Sequence, residues 1–297
     1  MGNSERSFLS KLVQDFKPRV IIARGFLFAV RRIFLWSLGD GLKWSGLIGR
    51  FTVKDLFQKV VDNAAYVAGF IMVIVALFAV AVLVEKLAQM KRGVKEPIFN
   101  TRKVAMTGMF SAVAMILMLF EFPLPFAPAF YELDFSEVPI LVGTFAFGPA
   151  AGVMMEFVKV LLKLFIKGTS TAFIGDLANF AVGCSFVLPA SVVYAFKKTK
   201  KNAIVACVVG TFVLTVFGTA FNAVYLLPAF SKLYGWPLND LIAMGSAVNP
   251  LVQEGNIVSF VIACVAPLNL IKGASVSVIT LLIYKPLSPI LKTAHRM

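Results

Sequence analysis

The chain is predicted to be an all-α integral membrane protein, and three observations predict it. Of its 297 residues 59% are hydrophobic and only 15% charged, with a mean hydropathy of +0.85, too apolar for a water-facing surface. Uncharged runs long enough to cross a bilayer recur along the chain, the first of them Tyr66–Val84. Basic residues gather in short clusters between these runs, and the strict alternation expected of a membrane β-barrel is missing. The expected architecture is a six-helix core with an additional N-terminal transmembrane helix.

In chain order, residues 1–65 carry 11 Lys/Arg against 5 acids, and Arg31, Arg32, Asp40 and Lys43 interrupt their aromatic stretch. That segment reads as a basic, amphipathic appendage lying in the membrane interface. Tyr66–Val84 (residues 66–84) can cross a ~30 Å hydrocarbon layer at ~1.5 Å per residue. Residues 85–103, with six Lys/Arg and two Glu, form a cytoplasmic linker by charge. The core takes residues 104–285, and 286–297 are a cytoplasmic tail. A single crossing by Tyr66–Val84 leaves residues 1–65 outside, against the positive-inside rule; either that segment re-enters the membrane or the helix does not cross.

Within the core, Val104–Phe120 runs outward, and its small residues Ala105, Gly108, Ser111 and Ala112 let another helix backbone approach closely. Glu121–Glu137 holds four acids, no Lys or Arg, three prolines and four phenylalanines. It belongs outside and suits a stiff aromatic lid, with Phe126, Tyr131 and Asp134 as its candidate contacts. Asp134 or Ser136 is expected to cap a helix from about Val138. Spans Val138–Phe147 and Pro149–Ile166 follow, broken at Gly148–Pro149. Glu156 and Lys159 are spaced to neutralise one another, and Lys163 extends their face. Lys167–Asp176 is an outer loop whose Asp176 is expected to cap Leu177–Phe196, with Asn179 in the first turn. Four lysines in KKTKKN mark a cytoplasmic turn. Ala203–Leu227 then runs outward to Pro228, and the last span is expected to start at Pro267, where proline breaks the long run Ile257–Tyr284.

Placed this way, Asn222 lies about 9 Å below Pro228, and Asn269 and Lys272 share a face about 3 to 8 Å below the outer end. Three polar groups converge in one layer, where an unpaired lysine has no inexpensive structural role. Other chemistry is poorly supplied. The single histidine, His295, is almost at the C-terminus, and Cys184, Cys207 and Cys264 lie in or beside apolar segments without metal-ligand spacing. H-E-x-x-H, G-x-S-x-G and Walker signatures are missing, so the expectation is a non-enzyme without a cofactor. The net charge of +14 points to phospholipid headgroups rather than nucleic acid, because the charges flank apolar spans.

Four motifs in order, L-D-F-S-E-V-P, F-G-P-x-A-G, K-G-T-S-T and A-N-F, resemble the substrate-binding (S) component of energy-coupling factor (ECF) vitamin transporters, within them the riboflavin-specific RibU branch. The similarity covers roughly residues 101 to 285. It implies the S-component fold, riboflavin uptake across a bacterial plasma membrane, and association with a transmembrane coupling subunit and two ATP-hydrolysing subunits. FNAVYLLP and PLNLIKG match the family's flavin-contacting motifs and assign that role to Asn222, Asn269 and Lys272, with Asn179 and Tyr225 as further candidates. Ala105, Gly108 and Ala112 match its docking motif for the coupling subunit. The N-terminal 100 residues, and the aromatic displaced to Tyr225, depart from the pattern.

The two readings meet in the chemistry. Asn both donates and accepts while Lys only donates, so the layer suits a flat heterocycle whose edge alternates carbonyl oxygens with a ring N–H, as the pyrimidine-dione edge of riboflavin does. Its dimethylbenzene end would need the aromatic lid and Tyr225. The alternatives are an S component for another vitamin, such as thiamin or a folate, and a noncatalytic membrane scaffold or receptor.

Overall fold

A computed structural model describes residue 61, residues 64–169 and residues 171–293. The interfacial helix expected within residues 1–65 and the end of the tail, with His295, lie outside the described residues. Contacts divide the chain after Arg50 and after Tyr284, and the unit Phe51–Tyr284 holds the whole candidate site.

The described elements are α1 (Ala64–Arg92), α2 (Thr101–Met118), a short hairpin of β1 (Phe122–Pro123) and β2 (Glu132–Leu133), α3 (Glu137–Phe147), α4 (Pro149–Lys167), α5 (Ile174–Phe196), α6 (Lys200–Phe221), α7 (Leu227–Tyr234), α8 (Leu238–Ser246), α9 (Ile257–Phe260) and α10 (Ala266–Thr293). A π-helical turn, Asn222–Leu226, joins α6 to α7, and another, Val261–Val265, joins α9 to α10. Four described helical segments are long and apolar enough to cross a membrane: Tyr66–Arg92, Ile174–Phe196, Lys200–Tyr234 and Ile257–Tyr284. The chain is an all-helical membrane protein.

Several boundaries differ from expectation for physical reasons. Helix α1 passes Val84 and ends at Arg92. Glu85 does not stop it, because its buried carboxylate pairs with Lys103 at 3.3 Å and accepts the Ala150 N–H at 3.1 Å. The linker shrinks to residues 93–100, and Asn100 caps α2 by accepting the Lys103 N–H. Neither Pro228 nor Pro267 breaks its helix. Proline lacks an N–H and clashes with the carbonyl four residues back, and in both cases that carbonyl lies in a π-helical turn. There the Leu227 N–H reaches the Asn222 carbonyl, and the Ala266 N–H reaches that of Val261. The last helical segment therefore begins at Ile257, ten residues before the expected start.

Helix α3 has 11 residues, about 16 Å of rise, roughly half the hydrocarbon layer. Its N-terminus accordingly sits deep in the bundle, and Glu137 is buried. Ser136 makes no side-chain cap bond there; Asp134 Oδ1 instead accepts the Ser136 N–H at 2.7 Å. Helix α5 begins at Ile174, so Asp176 lies inside its first turn, where it pairs with Lys163 rather than capping, and Asn179 falls in the second turn. Helix α4 packs against α2, α3, α5 and α1, and α5 packs along α6.

Candidate functional site

The site is built where the hairpin loop between α2 and α3 meets the two π-helical turns. Proline and aromatic residues fold that loop back over the bundle: β1 pairs antiparallel with β2, Phe122 opposite Leu133. Leu124, Phe126, Ala127 and Tyr131 pack on Leu227, Ile242, Val252, Phe260, Val261 and Cys264. Tyr131 and Phe260 rings lie 6.1 Å apart. Their burial holds the loop down at roughly 25 cal/mol per Å² of apolar surface.

Three polar latches complement that packing. Lys272 Nζ donates to Asp134 Oδ2 at 2.8 Å, the Tyr131 hydroxyl donates to Asn222 Oδ1 at 2.7 Å, and Asn249 Nδ2 donates to the Phe126 carbonyl at 3.2 Å. The lysine that the sequence left without a structural partner thus has one. Burial alone would raise the Asp134 carboxyl, but the Lys272 and Lys159 ammonium groups and the bonds from Lys272 and Ser136 outweigh it and hold its pKa down at about 2. Burial, with the nearby Cys264, pushes the Tyr131 phenol up, so it remains a donor.

Below the latches lies a second polar group. Lys159 is fully buried and contacts Glu137 at 2.9 Å, Glu156 at 2.7 Å and the Ser136 hydroxyl at 3.3 Å. The Glu156–Lys159 pair expected from spacing is present, and Lys163, on the next turn of α4, pairs with Asp176 of α5.

Asn222, Asn269 and Lys272 are all buried. Counted from the observed helix ends, Asn222 is about 18 Å below Tyr234, and Asn269 and Lys272 are about 18 and 22 Å below Ile257. All three lie deeper along their helices than the 3 to 9 Å expected, because both helices continue through their prolines. Asn222 Nδ2 donates to the Gly218 carbonyl at 2.7 Å. Asn269 Nδ2 lies against Gly218, where a Cβ would stand 2.6 Å from it, and has no hydrogen-bond partner among the described residues. Asn179 Oδ1 likewise has none, and the start of α5 packs on the first π-helical turn.

Tyr225 stands apart from the lid. Its ring stacks on Phe221 at 5.1 Å and packs with Ile174 and Ala178 of α5 and with the α1 cluster around Phe70. On α2, Ala105 and Gly108 are exposed and Ala112 is half-buried, and a Cβ on Gly108 would meet nothing within 4 Å. Ser111, grouped with them by size, faces inward and donates to the Thr107 and Met155 carbonyls. Sequence reasoning missed Asn249 and the Glu137–Lys159 contact. An Asn-Pro step in a turn-rich loop signals the first only generically, and the second depends on the short reach of α3.

The family model for the substrate-specific component of ECF transporters matches residues 102–284. Riboflavin transporter RibU of Staphylococcus aureus (strain TCH60) is 35% identical over 194 residues, covering 65% of this chain and 94% of that protein. Riboflavin transporter FmnP of Bacillus subtilis (strain 168) is 31% identical over 191 residues, covering 64% and 94%. A solved S component of a bacterial ECF transporter superposes with a TM-score of 0.50 at 34% identity, covering 64% of this chain and 98% of its own.

Proposed function

The chain belongs to the family of substrate-specific components of ECF transporters, and on that premise we propose that it binds riboflavin from outside and delivers it inward with an ECF coupling subunit and two ATPases. The observation that carries the reading is the buried layer of Asn222, Asn269 and Lys272 under a latched aromatic lid, in a chain similar to two riboflavin transporters. The layer keeps spare hydrogen-bonding capacity while the lid is down. Lys272 uses one of its three N–H groups on Asp134, Asn222 retains one N–H and an acceptor lone pair, and the Asn269 amide nitrogen is free among the described residues. An acceptor–donor–acceptor edge can therefore be met by Lys272, Asn222 and Asn269 without breaking the latches.

Phe126 and Tyr131, packed over the buried Phe260, offer apolar surface for the dimethylbenzene end. Tyr225, turned toward α1 and α5, has no part in that surface, whereas Asn179 stays a candidate at the α5 margin. The exposed stripe of Ala105, Gly108 and Ala112 on α2 suits a closely packed helix of the coupling subunit. ATP hydrolysis comes from the partners, since the sequence carries no Walker motif.

A competition panel tests the reading. Uptake of labelled riboflavin by cells expressing the chain with a coupling module is expected to be displaced by unlabelled riboflavin and not by thiamin or folate. Displacement by thiamin or folate alone would assign another vitamin, and uptake that does not require this chain would make it a scaffold or receptor.

A further inference from the structure

The family match begins at residue 102, so α1 lies wholly outside it, yet α1 is not a loose addition. Its inward face, with Phe70 and the fully buried Ala81, lies in the groove between α4 and α5, and the Phe70 and Phe180 rings approach to 5.7 Å. Ile71, Met72, Val75, Leu83 and Leu87 face outward and are exposed, as suits lipid. At its cytoplasmic end the helix carries one buried carboxylate, Glu85.

That carboxylate joins three helices. One oxygen lies 3.3 Å from Lys103 Nζ on the first turn of α2, and the other accepts the Ala150 N–H, an orphan donor at the start of α4. Lys103 Nζ also donates to the Pro97 and Ile98 carbonyls, tying in the preceding linker. The α3–α4 corner is shaped around Glu85: Gly148 has φ +106°, and a Cβ there would stand 2.7 Å from the Glu85 oxygen. A negative charge is also well placed at the positive end of α4.

We propose that Glu85 of α1 is a positioning residue for coupling: it fixes the cytoplasmic foot of α2, the helix bearing the exposed small-residue stripe, and so acts on engagement of the coupling subunit rather than on ligand capture. This rests on the proposed transport function. The Asp134 latch neighbours Lys159, nine residues and about 14 Å along α4 from Ala150, so removing the Glu85 contacts leaves it intact. Lys103 and Ala150 are the groups through which the effect travels.

The test uses the full chain as Glu85→Gln, Glu85→Ala and Lys103→Met, with riboflavin affinity measured on purified protein and co-purification with the coupling module measured in parallel. Riboflavin affinity within about twofold of wild type, with co-purification and uptake reduced about tenfold in Glu85→Ala and Lys103→Met, is the expected result. Glu85→Gln keeps an oxygen for Ala150 but loses the charge for Lys103, and is expected to fall between. Unchanged co-purification in all three variants, or riboflavin affinity falling as far as co-purification, would overturn the proposal. A wild-type chain that binds no flavin, or takes no coupling module, would instead overturn the transport function on which it rests.

Discussion

At the scale of single residues, buried charges fix the geometry beneath the lid. Lys159 is fully buried against two glutamates, and taking one partner from a buried pair leaves an uncompensated charge, worth about 3–5 kcal/mol. Lys159→Met is therefore expected to lower stability by about that much, read as a fall in the thermal midpoint of the purified protein. An unchanged midpoint would remove the network from the stability of the fold. The Asp134 latch has its own pH signature. Its folded pKa of about 2 lies below the ordinary carboxylate value of about 3.9, so its stabilisation is fully present above about pH 4 and is lost as pH falls through about 2. Asp134→Asn is expected to shift the unfolding midpoint by the same amount at pH 5 as at pH 8; a difference growing over that range would contradict the assignment. The Glu156–Lys159 pair was legible from three-residue spacing. The Lys272–Asp134 pair was not, because its partners are 138 positions apart and meet only when the loop folds back.

At the scale of elements, backbone chemistry decides where the polar layer lies. Composition identified the long apolar helices, but their ends were misplaced where proline was taken as a stop. The π-helical turns move the missing hydrogen bond and carry each helix past its proline, which no residue pattern in Asn222–Leu226 or Val261–Val265 announces. The face shared by Asn269 and Lys272 was legible from helical period, whereas their depth depended on the misread end. Close approach of α6 and α10 rests on small residues: a Cβ at Gly218 would stand 2.6 Å from Asn269 Nδ2, the end of a side chain that can move aside. Gly218→Ala is thus expected to fold while displacing the amide, weakening riboflavin binding about tenfold with little change in unfolding midpoint. Wild-type affinity would argue against Asn269 as a ligand contact.

At the scale of the whole molecule, the chain divides its labour between two ends. One carries the lid and its latches, and the other carries Glu85, Lys103 and the foot of α2. Between them α2 exposes Ala105 and Gly108, and because a Cβ at Gly108 meets nothing, Gly108→Leu is expected to leave the isolated protein stable and riboflavin affinity unchanged while abolishing co-purification with the coupling module. Retained co-purification would place the docking surface elsewhere. The membrane class was legible from composition alone, and the family from four ordered motifs. The role of α1 was not, because its meaning lies in contacts to residues 103 and 150.

The most direct measurement is the visible absorption and flavin fluorescence of the chain purified in detergent, repeated for Asn222→Ala and Lys272→Ala. Wild-type protein carrying a flavin that both substitutions release is the expected result, and it would place the ligand in the buried layer below the lid. A colourless wild-type protein that also fails to bind added riboflavin, or variants that retain flavin at wild-type affinity, would contradict it.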